Sequence, residues 1–224
     1  MSAKTGGVGG NVECLTRKVV EKESLESYRY YLSRRTVLQM LKDRGYDIPD
    51  SELSGSLTEF CSVFGDKPDV ERLRLCFPLL SNPSKKMLVI YLGTEEIKTQ
   101  VIRGVLGQIV NKESLHGLIL ILQSKMNHFA RKEVQKFPAQ VEIFQITDLL
   151  VNITKHILVP KHEILTVEDK QKLLKKYKVE EKQLPQMLRT DALARYYGLE
   201  KGQVLKLTYM DGIAKSLETY RCVL

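Results

Sequence analysis

The chain has 224 residues, 43% of them hydrophobic and 7% aromatic, which is enough for one large or two small well-packed domains. Its 35 Lys and Arg against 27 Asp and Glu give a formal net charge of +8, which favours a polyanionic partner without specifying a fold. The four cysteines lie far apart without a CxxC pair, so neither a zinc knuckle nor a dense disulfide scaffold is indicated. No signal-peptide or bilayer-spanning pattern is present, so we expect an intracellular protein without a membrane partner.

The N-terminal third predicts a tail followed by two helices. Residues 1–20 are Gly-rich at their start and are expected to be a flexible tail. Ser56 and Glu59 have the spacing of a capping box, which predicts a short helix ending at Gly65. Before it, apolar residues at helical spacing predict a long amphipathic helix that ends at Gly45; these are Leu25, Tyr28, Leu32, Leu38 and Leu41.

The middle of the chain alternates between strand and helix patterns. Apolar alternation at 73–77, a polar turn and the apolar run 87–92 predict a pair of strands. A helix near 97–109, a strand at 117–122, a helix at 129–137 and a strand at 141–144 follow. Because continuous apolar strands alternate with helices, we expect a small, largely parallel sheet covered on both faces.

Composition changes around residues 147–155, where a polar stretch replaces the strand pattern. We therefore place one domain at 21–146 and a second, compact α+β domain at 147–224. The second domain should contain two capped helices, the later one ending at Gly198. A terminal hairpin around Gly212 should complete it.

A strand–helix core with acidic residues raises the hypothesis of a metal-dependent nuclease. The strand at 118–123 carries no carboxylate, and Ser124-Lys125 stands where an acidic-x-Lys pair is needed. Glu142 is alone on its strand and is expected to face solvent. Nucleophile-elbow, phosphate-loop and dinucleotide-binding motifs are also absent. We therefore predict no catalytic residue and no cofactor.

Two smaller clusters each have two interpretations. His156 and His162 bracket an extended Pro160 segment and would be candidate metal ligands, but no Cys or carboxylate follows at matching spacing, so packing and hydrogen bonding explain them better. A basic cluster at a predicted helix start would suit phosphate oxygens, or would be an ordinary solvated helix face; its residues are Lys125, Asn127, His128, Arg131 and Lys132.

Several segments, in their order and spacing, closely resemble the C-terminal domain of the fifth subunit shared by eukaryotic nuclear RNA polymerases. They are His156-Ile157-Leu158-Val159-Pro160-Lys161-His162, Gln183-Leu184-Pro185, Arg195-Tyr196-Tyr197-Gly198-Leu199, Gly202-Gln203-Val204 and Tyr220-Arg221. Upstream, residues 36–46, from Thr36 to Tyr46, are similar to the first helix of that subunit's jaw domain.

This resemblance implies a nuclease-like but non-catalytic α/β jaw domain beside downstream duplex DNA, and a C-terminal domain that docks on the largest subunit. It also implies a nuclear location and no small-molecule substrate. The basic cluster at 125–132 then becomes the DNA-proximal candidate. The candidate assembly residues are His156, Pro160, His162, Leu184, Pro185, Arg195, Tyr196, Tyr197, Gly198, Tyr220 and Arg221.

Three features of the sequence refine the resemblance. Asp191-Ala192 replaces the usual Asp-Pro, and Tyr209-Met210-Asp211 replaces the usual Arg-x-Ser. With residues 142–150, these look like the plant paralogue that serves RNA polymerase V, which makes non-coding transcripts for RNA-directed DNA methylation and gene silencing. A subunit shared with RNA polymerases II, IV or others, a divergent nuclease and a free-standing DNA-binding regulator are the alternatives.

Overall fold

The computed structural model describes residues 22–211 and 214–224, so the predicted tail at 1–20 lies outside the described residues. The helices are α1 Lys22–Asp43, α2 Asp50–Ser54, α3 Leu57–Phe64, α4 Thr99–Gly107, α5 His128–Gln135, α6 Val167–Tyr177 and α7 Ala192–Tyr197. The strands are β1 Leu75–Leu79, β2 Asn82–Tyr91, β3 Leu115–Leu122, β4 Gln140–Gln145, β5 Lys161–Ile164, β6 Gln186–Met187, β7 Val204–Asp211 and β8 Ala214–Val223. Short 3-10 turns lie at Lys112–Ser114, Ile146–Leu149, Ile153–Lys155 and Glu181–Gln183.

The first sheet has the strand order β1-β2-β3-β4 and forms the N-terminal part of the molecule with α1 to α5. β1 and β2 are an antiparallel pair, whereas β2, β3 and β4 run parallel to one another. This confirms the expected mainly parallel sheet and its paired first strands. The capping box of α3 is also present, with Ser56 and Glu59 bonding each other's backbone N–H groups.

Both faces of this sheet are covered, because every residue from Gly117 to Leu122 on the central strand β3 is buried. Ile119 and Ile121 pack with α1 residues in one core, whereas Leu118 and Leu120 pack with α4 and α5 residues in the other. A strand buried on both faces has an unbroken apolar sequence rather than an alternating one. The Leu118–Leu122 run therefore marks the centre of the sheet.

Helix α1 forms as predicted, but the predicted buried face is wrong in its first half. Leu25 and Tyr28 are exposed, whereas Ser27, Tyr30 and Ser33 are fully buried. The hydroxyl groups of both serines donate to backbone carbonyls, at 3.2 Å for Ser27 and 2.9 Å for Ser33, so burial leaves neither unsatisfied. Small polar side chains let α1 approach its neighbours closely. A prediction based on the spacing of apolar residues does not identify these buried serines.

The second sheet forms the C-terminal part of the molecule and has the strand order β5-β7-β8-β6. β7 and β8 make the expected terminal hairpin, although the predicted turn at Gly212 lies outside the described residues. Asp191 caps α7 by accepting the Leu193 N–H at 2.9 Å. Ala192 follows at the first helical position, where proline is also favoured, so this departure from the family pattern preserves the helix.

No helix among the described residues is long and apolar enough to cross a membrane. Cys61, Cys76 and Cys222 are free thiols, and Cys76 is exposed.

Candidate functional site

The N- and C-terminal parts meet at the guanidinium group of Arg44, just after α1. Its Nη1 and Nη2 donate to the two carboxylate oxygens of Glu142 on β4 at 2.7 and 2.8 Å. Its Nε and Nη2 also donate to the carbonyl oxygens of Tyr196 and Arg195 on α7, at 2.8 and 2.6 Å. With side-chain exposures of 6% for Arg44 and 18% for Glu142, this is a largely buried, bidentate pair. We call these contacts the α1–β4–α7 junction.

The junction lies at the C-terminal end of α7, where the Arg195 carbonyl also accepts the Gly198 N–H at 3.2 Å. The last carbonyl groups of a helix have no intrahelical partner, and a cation is favourable beside them. Gly198 ends α7 in the left-handed region, with φ of 63°, and packs its backbone directly against Arg44. A Cβ atom at Gly198 would lie 3.0 Å from Arg44 Cζ. The glycine therefore serves both the helix end and the close approach of Arg44.

The Tyr196 hydroxyl forms the second set of contacts at the junction. It donates to Asp43 Oδ2 at 2.7 Å and accepts from Asn152 Nδ2 at 3.1 Å, and Asn152 Nδ2 also donates to Gln39 at 2.9 Å. Burial of the ring, followed by its bond to Asp43, raises the pKa of Tyr196 well above its usual value. The tyrosine is therefore a neutral donor that joins α7 to the end of α1.

The Arg195 side chain connects α7 to β4, the edge strand of the first sheet. Its Nη2 donates to the Ile143 carbonyl oxygen at 2.6 Å, and its guanidinium lies 4.3 Å from the centre of the Phe144 ring. A weaker contact joins Nη1 to Asp148 at 3.5 Å. Arg195, Tyr196 and Gly198 therefore form contacts within the chain, although the family resemblance implied that they belong to an assembly interface.

Glu142 was expected to face solvent, and this is wrong. The sequence shows a lone carboxylate on its strand, but Arg44 is 98 residues away along the chain, and only folding brings the two together. Arg44 itself lies in the segment from Thr36 to Tyr46 that resembles the jaw helix. Because Arg44 also binds the carbonyl groups of Arg195 and Tyr196, this segment is in direct contact with the segment Arg195–Leu199, which carries the resemblance in the C-terminal half.

A different surface follows directly after the first sheet, in residues 150–158, which we call the exposed segment. Val151, Ile157 and Leu158 have exposures of 69%, 94% and 80%. Val151 lines a groove of about 380 Å³ between this segment and α1, together with Leu32, Arg35 and Lys155. Large apolar side chains projecting together beside cations are typical of a protein interaction surface.

The other candidate assembly residues lie in different environments. Leu184 is in the core of the C-terminal part, beside an exposed Pro185 whose carbonyl accepts the Cys222 N–H at 2.8 Å. Half-buried positions are occupied by Pro160, His162, Tyr197, Tyr220 and Arg221. His156 is exposed at the end of the groove.

The two candidate metal-ligand histidines have separate surroundings. His156 Nδ1 accepts the Leu158 N–H at 3.2 Å, and His162 packs its ring against Tyr197 at 5.9 Å. Burial, and then the charge of Arg221, lower the pKa of His162. Among the described residues, no group of three or more His, Cys, Asp and Glu side chains could hold a metal ion.

The basic cluster lies at the carboxyl end of β3, where α5 begins. Asn127 caps α5 by accepting the Ala130 N–H at 2.7 Å, so its side chain is already engaged. Lys125, His128, Arg131 and Lys132 lie at the surface, and within the described ranges none of them forms an ion pair. We call these four residues the basic patch.

Three neighbours of the basic patch, one aromatic and two acidic, were not predicted from the sequence. Phe129, the second residue of α5, is 71% exposed, so an aromatic ring stands among the cations. Glu95 and Glu96, also exposed, lie on the preceding loop, which Ile97 and Met126 bridge to this region. The carboxylates reduce the local positive potential, so any phosphate contact here would be weak and sensitive to salt.

Comparisons with known proteins match one family over two stretches of the chain. The RNA polymerase Rpb5 N-terminal domain matches residues 24–109, and the RNA polymerase Rpb5 C-terminal domain matches residues 151–223. The chain is 52% identical over 207 residues to "DNA-directed RNA polymerase V subunit 5C" of Arabidopsis thaliana, covering 92% of this chain and 89% of that protein. It is 45% identical to "DNA-directed RNA polymerases IV and V subunit 5B" of the same plant, covering 96% and 99%. Identity to "DNA-directed RNA polymerases I, II, and III subunit RPABC1" of Caenorhabditis briggsae is 34%, covering 90% and 98%.

Proposed function

This chain belongs to the RNA polymerase Rpb5 family, and on that premise we propose that it is a non-catalytic subunit of RNA polymerase V in the nucleus. In this role it supports the synthesis of non-coding transcripts for RNA-directed DNA methylation and gene silencing. The observation that carries the choice of polymerase is the difference in identity. The identity is 52% to a relative named for polymerase V and 45% to one named for polymerases IV and V. It is only 34% to a relative named for polymerases I, II and III.

The absence of catalysis is supported by how Glu142 is used. A metal-dependent nuclease needs carboxylates free to hold Mg²⁺. Both oxygens of Glu142 accept from Arg44, and separating this largely buried pair would leave an uncompensated charge. The carboxylate that the nuclease hypothesis requires is therefore a structural group.

Docking on the largest subunit is assigned to the exposed segment at 150–158. Ile157 and Leu158 together expose an apolar surface that a partner would bury, at about 1.5 to 3 kcal/mol for each side chain that becomes fully covered. His156, which is also exposed, precedes them in the exposed segment, and the half-buried Pro160 follows it in the chain. The junction residues of α7 contribute indirectly, because they hold the C-terminal part against β4.

Contact with downstream duplex DNA is assigned to the basic patch. Its four side chains lie at the surface and have no carboxylate partner among the described residues, so they are free to approach phosphates. Such contacts position a duplex without reading its sequence. Because few phosphates are within reach, the isolated chain should bind DNA weakly, and the contact should act within the assembled polymerase.

Purification of the tagged full chain from nuclei tests the proposal. We expect very large polymerase subunits at equal stoichiometry, with the largest chain identified by mass spectrometry as that of RNA polymerase V. Recovery of the chain as a free monomer would contradict its role as a subunit. Recovery with the largest subunit of another polymerase alone would contradict the assignment to RNA polymerase V and leave the role as a subunit in place.

A further inference from the structure

A second groove, which we call the β4 groove, follows the outer edge of β4. It has a volume of about 620 Å³ and lies between α5, this edge strand and the start of α7. Its apolar wall is formed by Val134, Phe137, Val141 and Ile143, and the two cations that line it are Arg131 and Arg195. It is separate from the exposed segment at 150–158.

The backbone of β4 has an unpaired side in this groove. β4 pairs with β3 on one side, and no strand among the described residues pairs with the other. The Ile143 carbonyl accepts from Arg195 on that outer side. Because backbone groups of alternate residues point to the same edge, the N–H and C=O of Val141 also point outward. Groups of this kind are a template for pairing with another chain.

The opposite edge of the same sheet provides a contrast. β1 carries Pro78, which lacks an N–H and so discourages a further strand. β4 has neither proline nor lysine, and its one charged residue, Glu142, is turned to Arg44.

The charges in the β4 groove indicate the chemistry of its occupant. Arg131 has no ion-pair partner in the part of the chain that the structure describes, and Asp148 is the only acidic residue that lines the groove. Asp148 lies beside Arg195, so a positive charge remains at Arg131. The glutamine side chains around it, from Gln135, Gln140 and Gln145, are neutral.

We propose that the β4 groove binds an extended, acidic segment of a partner protein, which pairs its main chain with the outer edge of β4. Strand addition supplies main-chain hydrogen bonds, and alternate side chains of the partner enter the groove. Its apolar side chains contact Val141 and Phe137, and its carboxylates approach Arg131. A peptide fits better than a nucleic acid, because the groove offers main-chain donors and apolar surface but only two cations, one already engaged.

Binding can be measured on the full chain with defined probes. The first probe is a short labelled peptide of alternating valine and glutamate, followed by fluorescence anisotropy. We expect saturable binding, and about tenfold weaker binding of the counterpart in which lysine replaces glutamate, since like charges meet at Arg131. An acidic peptide with proline at alternate positions lacks the N–H donors of a strand and should also bind much more weakly.

Two variants locate the site. Arg131→Ala should weaken the acidic peptide about fivefold, the effect of one exposed charge pair. The matched control Lys132→Ala removes the next cation of α5, which does not line the β4 groove, and should leave peptide affinity unchanged. Val141→Pro removes an outward N–H while sparing the bonds to β3, and should abolish strand addition if thermal unfolding shows that the chain remains folded.

Three results would overturn this proposal. Equal affinity for acidic and basic peptides would refute charge complementarity, and no saturation up to about 1 mM would refute binding. Binding of an oligothymidylate probe that Arg131→Ala abolishes and Lys132→Ala spares, without any peptide binding, would assign the groove to nucleic acid. Each result is independent of which polymerase subunits co-purify, so this proposal and the proposed function fail separately.

Discussion

Arg195–Gly198 and His156–Leu158 lie in the same C-terminal part of the molecule, but the first segment turns inward and the second faces solvent. The first packs on α1 and β4, where Arg44 binds its carbonyl groups at 2.6 and 2.8 Å. The second presents Ile157 and Leu158 almost fully exposed. Both carry the family resemblance, and nothing in their composition distinguishes an inward segment from an outward one.

The difference separates two reasons for a family pattern. A segment such as Arg195–Gly198 maintains the geometry of the chain, so its alteration should lower stability first and assembly only as a consequence. A segment such as His156–Leu158 is exposed and buries little side-chain surface within the chain. Its alteration should therefore weaken binding of the partner and leave stability almost unchanged. Measured on the same variants, stability and co-purification should therefore fall together for the inward segment, whereas only co-purification should fall for the outward one.

The largest effect on stability is expected for Arg44→Ala. It removes four hydrogen bonds to oxygen atoms and leaves Glu142 largely buried without a cation, so the free energy of unfolding should fall by about 3 kcal/mol. Urea denaturation of the full chain measures this. The matched control is Lys42→Ala, two residues earlier, whose ion pair with Asp50 is exposed, and there the change should stay below about 0.5 kcal/mol. Equal losses of stability in the two variants would contradict the junction.

A smaller loss of stability is expected for Gly198→Ala. The left-handed backbone and the 3.0 Å approach of the new Cβ to Arg44 should together cost about 2 kcal/mol. Gly45→Ala serves as its control, because Gly45 also has positive φ but has no heavy atom within 4 Å of a built Cβ, so only about 1 kcal/mol is expected. The difference between the two variants, measured by thermal unfolding, reports the contact with Arg44. Equal losses of stability in Gly198→Ala and Gly45→Ala would show that the Arg44 side chain moves aside without cost.

The basic patch extends the comparison to a second exposed surface. Replacing Lys125 and Lys132 by Ala, which spares Arg131 of the β4 groove, should leave unfolding and assembly unchanged and weaken the binding of the assembled polymerase to downstream DNA. The slope of log affinity against log salt should become shallower by about 0.9 for each phosphate that the variant no longer neutralises. DNA crosslinking and salt titration of the purified complex measure the effect. Unchanged crosslinking would mean that the patch is an ordinary solvated helix face.

Local patterns predicted much of the fold. The apolar run in β3 and the capping box at Ser56 follow from spacing alone, and the structure confirms them. A strand does form near the predicted alternation at 73–77, but β1 begins only at Leu75, and its burial does not alternate along the strand. Ser27 and Ser33 were missed, because a buried hydroxyl bonded to a nearby carbonyl resembles an exposed one in sequence.

The site was less predictable, because its contacts join distant parts of the chain. Arg44 and Glu142 are 98 residues apart, and Arg44 and Tyr196 are 152 apart, so no local pattern connects them. The exposed segment can be detected in the sequence, because Ile157-Leu158-Val159 is an apolar run outside any predicted helix or strand. Such a run, next to Pro160, should be tested as a surface before it is assigned to the core.

Co-purification of the Leu158→Glu variant from nuclei tests the central claim most directly. We expect it to unfold like the unaltered chain and to recover the largest polymerase subunit at a small fraction of the unaltered yield, because a carboxylate replaces an apolar contact. Val110→Glu makes a similar apolar-to-acidic change at an equally exposed position outside the exposed segment, and should recover the polymerase in full. Full recovery with Leu158→Glu would contradict docking through residues 150–158.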